Sequence, residues 1–86
     1  MSIRERELLK ALLDTLDQLD GTPVTEPILH ASLMAKFQPP PTLAEFERAL
    51  RHSDTAGWLI GLPSKVTGQT KWTISDKGRA ALQELP

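Results

Sequence analysis

The chain has 86 residues, no cysteine and a net charge of −1, from ten Lys and Arg against eleven Asp and Glu. A chain of this length has room for one hydrophobic core, and without cysteine it has neither a disulfide nor a thiolate ligand for a metal. It contains no apolar run long enough to span a membrane, and its first residues alternate in charge where a signal peptide is apolar. We therefore expect a single soluble, cytoplasmic domain covering residues 1–86.

The first predicted element is a helix that begins at Ile3, because Ser2 and Glu5 form the pattern of a capping box. Asp20 and Gly21 supply its stop. Six leucines of this segment, at positions 8, 9, 12, 13, 16 and 19, fall in a stripe about 140° wide, which is broad for one small core to cover. From that width we predict a homodimer through the first helix, with an interface that includes Leu8, Leu12 and Leu19.

The next segment, residues 22–25, is predicted to be a connector or a very short edge strand, because it holds β-branched residues around a proline. Thr25 is then predicted to cap a second helix, with a buried stripe formed by Ile28, Leu29, Leu33 and Phe37. The run from Gln38 to Pro41 ends this helix as a stiff turn. A polyproline segment that docks on another protein is the alternative interpretation of the same residues.

The best-marked helix start in the sequence is the third, where Thr42 and Glu45 form a second capping box and Pro41 and Phe46 occupy the positions of a hydrophobic staple. The helix is predicted to stop at Gly57. Its inward face is predicted to contain Leu43, Phe46, Ala49, Leu50 and Ser53. Two helices separated by a short proline turn are a helix-turn-helix arrangement.

After Gly57 the apolar pattern changes from a helical to a strand period. Residues 58–62 and 71–74 are predicted to pair as an antiparallel hairpin with a polar loop between them. Trp58 and Trp72 are predicted to pack where this hairpin meets the helices. Ser75 can cap a last helix with Ala80, Ala81, Leu82 and Leu85 on its apolar side, and Gly78 inside that helix indicates close backbone packing.

The order of these elements resembles the winged helix-turn-helix, an α+β fold with three helices, a β-hairpin wing and a short C-terminal helix. The segment from Trp72 to Leu82 is similar to the one that closes the wing in MarR-like and PadR-like bacterial regulators. Those regulators usually continue into a long dimerisation helix, whereas this sequence ends at Pro86. The resemblance implies a third helix that reads the major groove of DNA and a wing that contacts phosphates or the minor groove.

The distribution of charge along the chain agrees in part with DNA binding by the third helix and the wing. Residues 1–26 carry three basic and six acidic side chains, whereas residues 27–86 carry seven basic and five acidic ones. At 100° per residue, the outward face of the third helix contains Ala44, Arg48, Arg51, His52 and Thr55. In the wing, the residues predicted to contact DNA are Lys65, Thr67, Gln69 and Lys71. The alternative for the helix is a merely solvated face in which Arg51 pairs with Glu47.

Catalysis is not supported by the residues. His52, Ser53 and Asp54 are the types found in a catalytic triad, but consecutive helix residues point about 100° apart. Neither histidine has a partner at metal-ligand spacing, and no glycine-rich phosphate loop is present, so we predict no metal and no cofactor. Two functions remain. A small DNA-binding transcriptional regulator is the preferred interpretation, because of the helix-turn-helix, the outward arginines of the third helix and the basic wing. A protein-interaction adaptor is the alternative, which the near-neutral charge and the acidic first helix also fit.

Overall fold

The computed structural model describes residues 2–85, which form four helices and one three-stranded antiparallel sheet. The predicted α+β fold class is confirmed. The sheet order is β1-β3-β2, so β3 lies in the centre. The elements in chain order are α1 (Ile3–Gln18), β1 (Val24–Thr25), α2 (Glu26–Met34), α3 (Leu43–Thr55), β2 (Leu59–Pro63), β3 (Thr70–Ile74) and α4 (Asp76–Glu84).

The central element of the core is α1, which packs against α2, α3, α4 and β3. The Ser2 hydroxyl accepts a hydrogen bond from the Glu5 amide at 3.1 Å, as the sequence predicts for the helix start. Beyond the last turn, Asp20 and Gly21 both have positive φ, which prevents the helix from continuing. The leucines of this helix at positions 8, 9, 12, 13 and 16 are all buried.

This burial corrects the prediction that Leu8 and Leu12 are available on α1 for a dimer interface. Leu8 is 3% exposed and Leu12 is fully buried within the chain itself, and Leu19 alone of the three predicted residues is partly exposed, at 36%. The leucine stripe is broad because four elements pack around α1, where the prediction assumed that one small core could cover only part of it. Leu8 and Leu12 therefore belong to the core, while Ile3 at the start of α1 is 74% exposed and the homodimer itself stays a prediction.

The second helix is shorter than its sequence pattern indicates. It ends at Met34, before the prolines, and Thr25 occupies the N-cap position without a side-chain hydrogen bond. Leu29 and Leu33, one turn apart, face the core, whereas Ile28 is rotated away from them and is 59% exposed, contrary to the prediction. The Thr25 strand residue pairs with Lys71 of β3, which confirms the short edge strand.

The third helix has the capping box that the sequence predicts, with both reciprocal hydrogen bonds between Thr42 and Glu45 at 3.1 Å. Four residues of its predicted inward face are buried: Phe46, Ala49, Leu50 and Ser53. Leu43 is the exception, at 58% exposed, because as the first residue of the helix it faces the groove between α2 and the hairpin. This helix therefore has one firmly packed face and leaves the other to solvent.

The hairpin and α4 also follow the prediction. β2 and β3 pair antiparallel, with Leu59 opposite Ile74 and Leu62 opposite Lys71. Ser75 caps α4 by accepting from the Gly78 amide at 3.0 Å. A Cβ atom at Gly78 would collide with the Trp58 carbonyl oxygen, so this helix approaches the backbone before β2 as closely as a glycine permits. Ala80, predicted on the apolar side of α4, is exposed.

Candidate nucleic-acid interface

The outward face of α3 carries the residues that the sequence places there. Opposite the buried side chains of Phe46 and Ser53, the helix exposes a strip of small and basic side chains, which we call the α3 strip: Ala44, Arg48, Arg51, His52 and Thr55. Among the residues that the structure describes, neither Arg48 nor Arg51 forms an ion pair. The predicted alternative, a pair between Arg51 and Glu47, is therefore absent from this part of the chain.

One carboxylate beside the strip is neutralised by a different helix. The Arg4 Nε of α1 donates to Glu45 Oε2 at 2.8 Å, and the Thr42 amide donates to Glu45 Oε1 at 3.1 Å. These two hydrogen bonds, with that from Arg4 the stronger influence, lower the pKa of Glu45 to about 2. Glu45 is therefore held ionised and paired, and it directs its charge toward α1 and away from the α3 strip.

Other carboxylates remain on the opposite flank of the helix. Glu47 and Asp54 of α3 line a groove of about 310 Å³ together with Glu26 and Trp72, and we call it the acidic groove. Trp72 Nε1 donates to Glu26 Oε2 at 3.3 Å, so the indole is half-buried against α2, as predicted, and is not a free stacking platform. Arg51 stands at the border between the acidic groove and the α3 strip.

The wing loop, residues 64–69, is shaped by short local hydrogen bonds. The Ser64 amide donates to the Gln69 carbonyl and the Gly68 amide to the Ser64 carbonyl, both at 2.9 Å. Three of the predicted contact residues, Lys65, Thr67 and Gln69, are exposed on this loop. Gln69 also lines a groove of about 470 Å³ that separates the wing from Leu43 at the start of α3. The loop thus stands beside the N-terminal end of the same helix that carries the α3 strip.

Lys71, the last of the predicted wing residues, lies on the sheet and not on the loop. Trp72 of β3 lines the acidic groove against α3, and neighbouring strand residues point to opposite faces of a sheet. Lys71 is exposed on the face turned away from α3, beside its strand partners Thr25 and Leu62. The alternation of β3 thus places Lys71 and Trp72 on opposite faces of the sheet, and a contact of Lys71 with DNA stays a prediction.

The triad residue types on α3 do not form a relay. Ser53 is fully buried, and its hydroxyl donates to the Ala49 carbonyl at 2.9 Å, whereas His52 is exposed near Trp58. Within residues 2–85, no group of three His, Cys, Asp or Glu side chains is arranged to hold a metal ion. Over the same range, no helix combines the length and apolar character that crossing a membrane requires.

Comparison with known proteins identifies the fold. No protein-family model matches the sequence, and no curated protein matches it. Among solved structures, the chain is similar to the crystal structure of a provisionally assigned transcriptional regulator from Thermoplasma acidophilum, with a TM-score of 0.80 and 19% sequence identity. The match covers 95% of this chain and 77% of the other. The fold is that of a small winged helix-turn-helix, and the narrower likeness to MarR-like and PadR-like regulators stays a prediction.

Two features near the interface were missed at the level of sequence. The partner of Glu45 is Arg4, which is 41 residues away, and no local spacing indicates that contact. The acidic groove gathers Glu26, Glu47 and Asp54 from two helices. The two residues that α3 contributes to this groove could have been found from the sequence, because Glu47 and Asp54 are seven residues apart and so lie on one side of a helix.

Proposed function

We propose that this protein is a small DNA-binding transcriptional regulator. In this proposal the whole chain acts as one winged-helix domain in the cytoplasm, without a cofactor. The α3 strip enters the major groove and the wing loop contacts phosphates. The observation that carries the proposal is the pair of exposed arginines, Arg48 and Arg51, on the free face of a helix that is otherwise fixed by the core.

The chemistry of the α3 strip suits base recognition. Arginine can pair bidentately with guanine, and an arginine without an ionic partner does not first have to break a protein contact. Ala44 has a short side chain and Thr55 a small polar one, so the helix can approach the floor of a groove closely. Arg4 also offsets the negative charge of Glu45, which would otherwise repel the DNA backbone.

The wing would contribute through a subset of the predicted residues. Lys65, Thr67 and Gln69 lie on the exposed loop beside α3, and they offer one positive charge and two polar side chains to a phosphate backbone. Lys71 faces away from α3, so we do not assign it to the same DNA contact. The wing is therefore expected to position the domain on DNA and to add little sequence preference.

Substitutions on the α3 strip and on the wing loop separate base recognition from phosphate contact. Alanine at Arg48 or Arg51 should weaken binding to a selected site by about 1–3 kcal/mol and change binding to random duplex much less. Alanine at Lys65 should weaken binding to every sequence alike and flatten the slope of log affinity against log salt by about one unit. Alanine at Lys77, exposed on α4, is the matched control and should leave both quantities unchanged.

A protein-interaction adaptor is the second candidate, and a specific observation favours it. The acidic groove lies between α3 and the sheet, where a DNA backbone bound by both would pass. The same groove is lined by the apolar side chains of Leu50 and Trp72. An acidic groove flanked by apolar side chains suits a basic, apolar peptide better than a phosphate backbone. Failure to bind duplex DNA at low salt would favour this candidate.

A further inference from the structure

The solvent side of α2 is apolar. Between Glu26 and Lys36 the sequence contains no charged side chain and two polar ones. Leu29 and Leu33 of this segment pack in the core. A surface helix is normally apolar only toward the core, whereas α2 is apolar on its solvent side as well. Within residues 2–85, this side of the helix is left uncovered.

Five exposed residues form this surface, which we call the α2 face: Pro27, Ile28, Ala31, Met34 and Ala35. At 100° per residue they all lie within 60° of Ala31, which points away from Leu29 and Leu33. Ile28 is 59% exposed and Met34 is 43% exposed. Single exposed apolar side chains are common in small proteins, but a contiguous apolar face without a charge is typical of a contact surface.

The two polar side chains of the segment are engaged inside the chain. His30 Nε2 lies 3.0 Å from the Pro41 carbonyl oxygen, and the His30 ring stacks on Phe46 with ring centres 4.8 Å apart. The Ser32 hydroxyl donates to the Ile28 carbonyl at 3.0 Å. Neither side chain needs a partner outside the chain, so an occupant of the α2 face binds by apolar packing.

The order of residues on the α2 face fits a second copy of the same helix. Ile28 and Met34 lie three residues before and after Ala31, and Pro27 and Ala35 lie four residues before and after it. In a two-fold contact every residue pair occurs twice with the partners exchanged. An antiparallel second copy that crosses at Ala31 therefore brings Ile28 of each copy level with Met34 of the other. The short Ala31 side chain lets the two helix axes approach to about 8 Å.

The charges at the ends of α2 favour the antiparallel orientation. Within residues 2–85, neither Glu26 nor Lys36 forms an ion pair. Glu26 accepts a hydrogen bond from Trp72 Nε1 at 3.3 Å. Lys36 Nζ donates to the Thr15 hydroxyl at 2.6 Å. Antiparallel copies place Glu26 of one at the same end as Lys36 of the other, whereas parallel copies place like charges together. Both residues lie about 140° from Ala31, so they select the orientation and add little affinity.

We propose that the α2 face is a self-association surface, on which two copies pack α2 antiparallel about a two-fold axis at Ala31. One nine-residue helix covers less than the roughly 800 Å² per partner of a standard interface, so we expect a dissociation constant on the order of 100 µM. The contact uses the side of α2 away from the core and does not depend on DNA. If the proposed function is correct, it also relates two α3 strips by a two-fold axis, as a palindromic site requires. That consequence alone rests on the proposed function.

Sedimentation equilibrium of the full chain, from roughly 10 µM to 1 mM, tests the contact without DNA. The wild-type chain should pass from monomer to dimer over this range. Ala31→Glu places two carboxylates together at the crossing and should weaken association roughly tenfold or more. Ala80→Glu makes the same change at an exposed position of α4 and should leave association unchanged. Both variants keep a good helix former in an exposed helix position, so the fold is retained.

Three results of this experiment would overturn the proposal. The first is a wild-type chain that is still monomeric at the highest concentration, which would leave the α2 face to a different protein. The second is a dimer that survives Ala31→Glu, which would place the contact on another surface. The third is an equal loss of association in Ala31→Glu and Ala80→Glu, which would show general charge repulsion.

Two further variants test the antiparallel orientation. Ile28→Lys and Met34→Glu should each self-associate more weakly than the wild-type chain, because a charge replaces an apolar contact. In an antiparallel pair the new lysine and the new glutamate face each other, so an equimolar mixture should associate about fivefold more tightly than either variant alone. Parallel helices would place each substituted position beside its own counterpart. A mixture without any recovery would therefore contradict the antiparallel contact.

A separate titration with duplex DNA distinguishes this proposal from the proposed function. Self-association of a chain that binds no duplex would support the α2 contact and contradict the DNA-binding function. Duplex binding by a chain that stays monomeric would do the reverse.

Discussion

Arg4 and Glu45 connect the first turn of α1 to the first turn of α3, with Arg4 Nε donating to Glu45 Oε2 at 2.8 Å. The same guanidinium donates from Nη2 to the Pro39 carbonyl at 2.9 Å and lies 5.9 Å from the centre of the Phe37 ring. One side chain therefore ties the first helix to the proline turn and to the helix proposed to enter DNA. This contact joins the N-terminal ends of α1 and α3, and it offsets the negative charge of Glu45.

The first prediction concerns the pH dependence of stability. The pKa of Glu45 is lowered from its ordinary value of 4.5 to about 2 in the folded chain, chiefly by the Arg4 hydrogen bond. A carboxylate with a depressed folded pKa stabilises the fold fully above its ordinary pKa, and the contribution is lost as the pH falls toward about 2. Urea unfolding across this range should show a decline that is smaller in Glu45→Gln. Identical declines in the wild-type chain and in Glu45→Gln would contradict this prediction.

The second prediction concerns Gly78 in α4. Replacing a helix glycine by alanine ordinarily stabilises a helix by about 1 kcal/mol. Here the new Cβ would meet the Trp58 carbonyl oxygen and lie 2.8 Å from Ile74 Cγ1, so Gly78→Ala should destabilise the fold by about 1–3 kcal/mol. Gln83→Ala, at an exposed position of the same helix, should change stability by less than about 0.5 kcal/mol. Stabilisation by Gly78→Ala would show that the close approach is wrong.

The third prediction tests the corrected role of the leucines on α1. Leu12 is fully buried, so Leu12→Ala should cost about 2–5 kcal/mol of unfolding free energy and leave the sedimentation behaviour unchanged. Leu19→Ala, at a partly exposed position, is the control and should cost less than about 1 kcal/mol. A Leu12→Ala variant of normal stability but altered association would restore the interface interpretation.

Local sequence signals were sufficient for most of the fold. The capping pairs Ser2–Glu5 and Thr42–Glu45, the prolines after α2 and the strand period after Gly57 each depend on neighbours in the chain, and each predicted its element correctly. The errors came from long-range packing. Four elements surround α1, and the number of surrounding elements sets how wide its buried stripe can be. The sequence of α1 alone does not contain that number.

The residues of the candidate site could be predicted where their position depends on one helix alone. The α3 strip follows from the period of one helix, so its exposure was correctly predicted. The direction in which Lys71 points depends on which face of β3 packs against α3. The acidic groove depends on residues of α2 and α3 lying together beside Trp72. Both require the tertiary arrangement, because charge sign and loop position alone do not indicate a facing direction.

The fourth prediction concerns the acidic groove. If α3 and the wing contact the same duplex, Glu47 repels its backbone, and Glu47→Gln should raise the affinity for random duplex. The increase should be no more than about fivefold, because one charge at about 4 Å in water is worth about 1 kcal/mol. Glu84→Gln, exposed at the end of α4, makes the same change in net charge away from the interface and is the matched control. Equal increases in the two variants would mean that Glu47 does not face the DNA.

The most direct test of the central claim is a fluorescence anisotropy titration of a labelled random duplex with the wild-type chain. At about 50 mM salt, where electrostatic binding is strong, we expect binding at tens of micromolar protein or below. The affinity should fall as salt is raised, with a slope of about −0.9 for each phosphate contacted. Absence of any binding under these conditions would contradict the account and assign the α3 strip and the acidic groove to a protein partner.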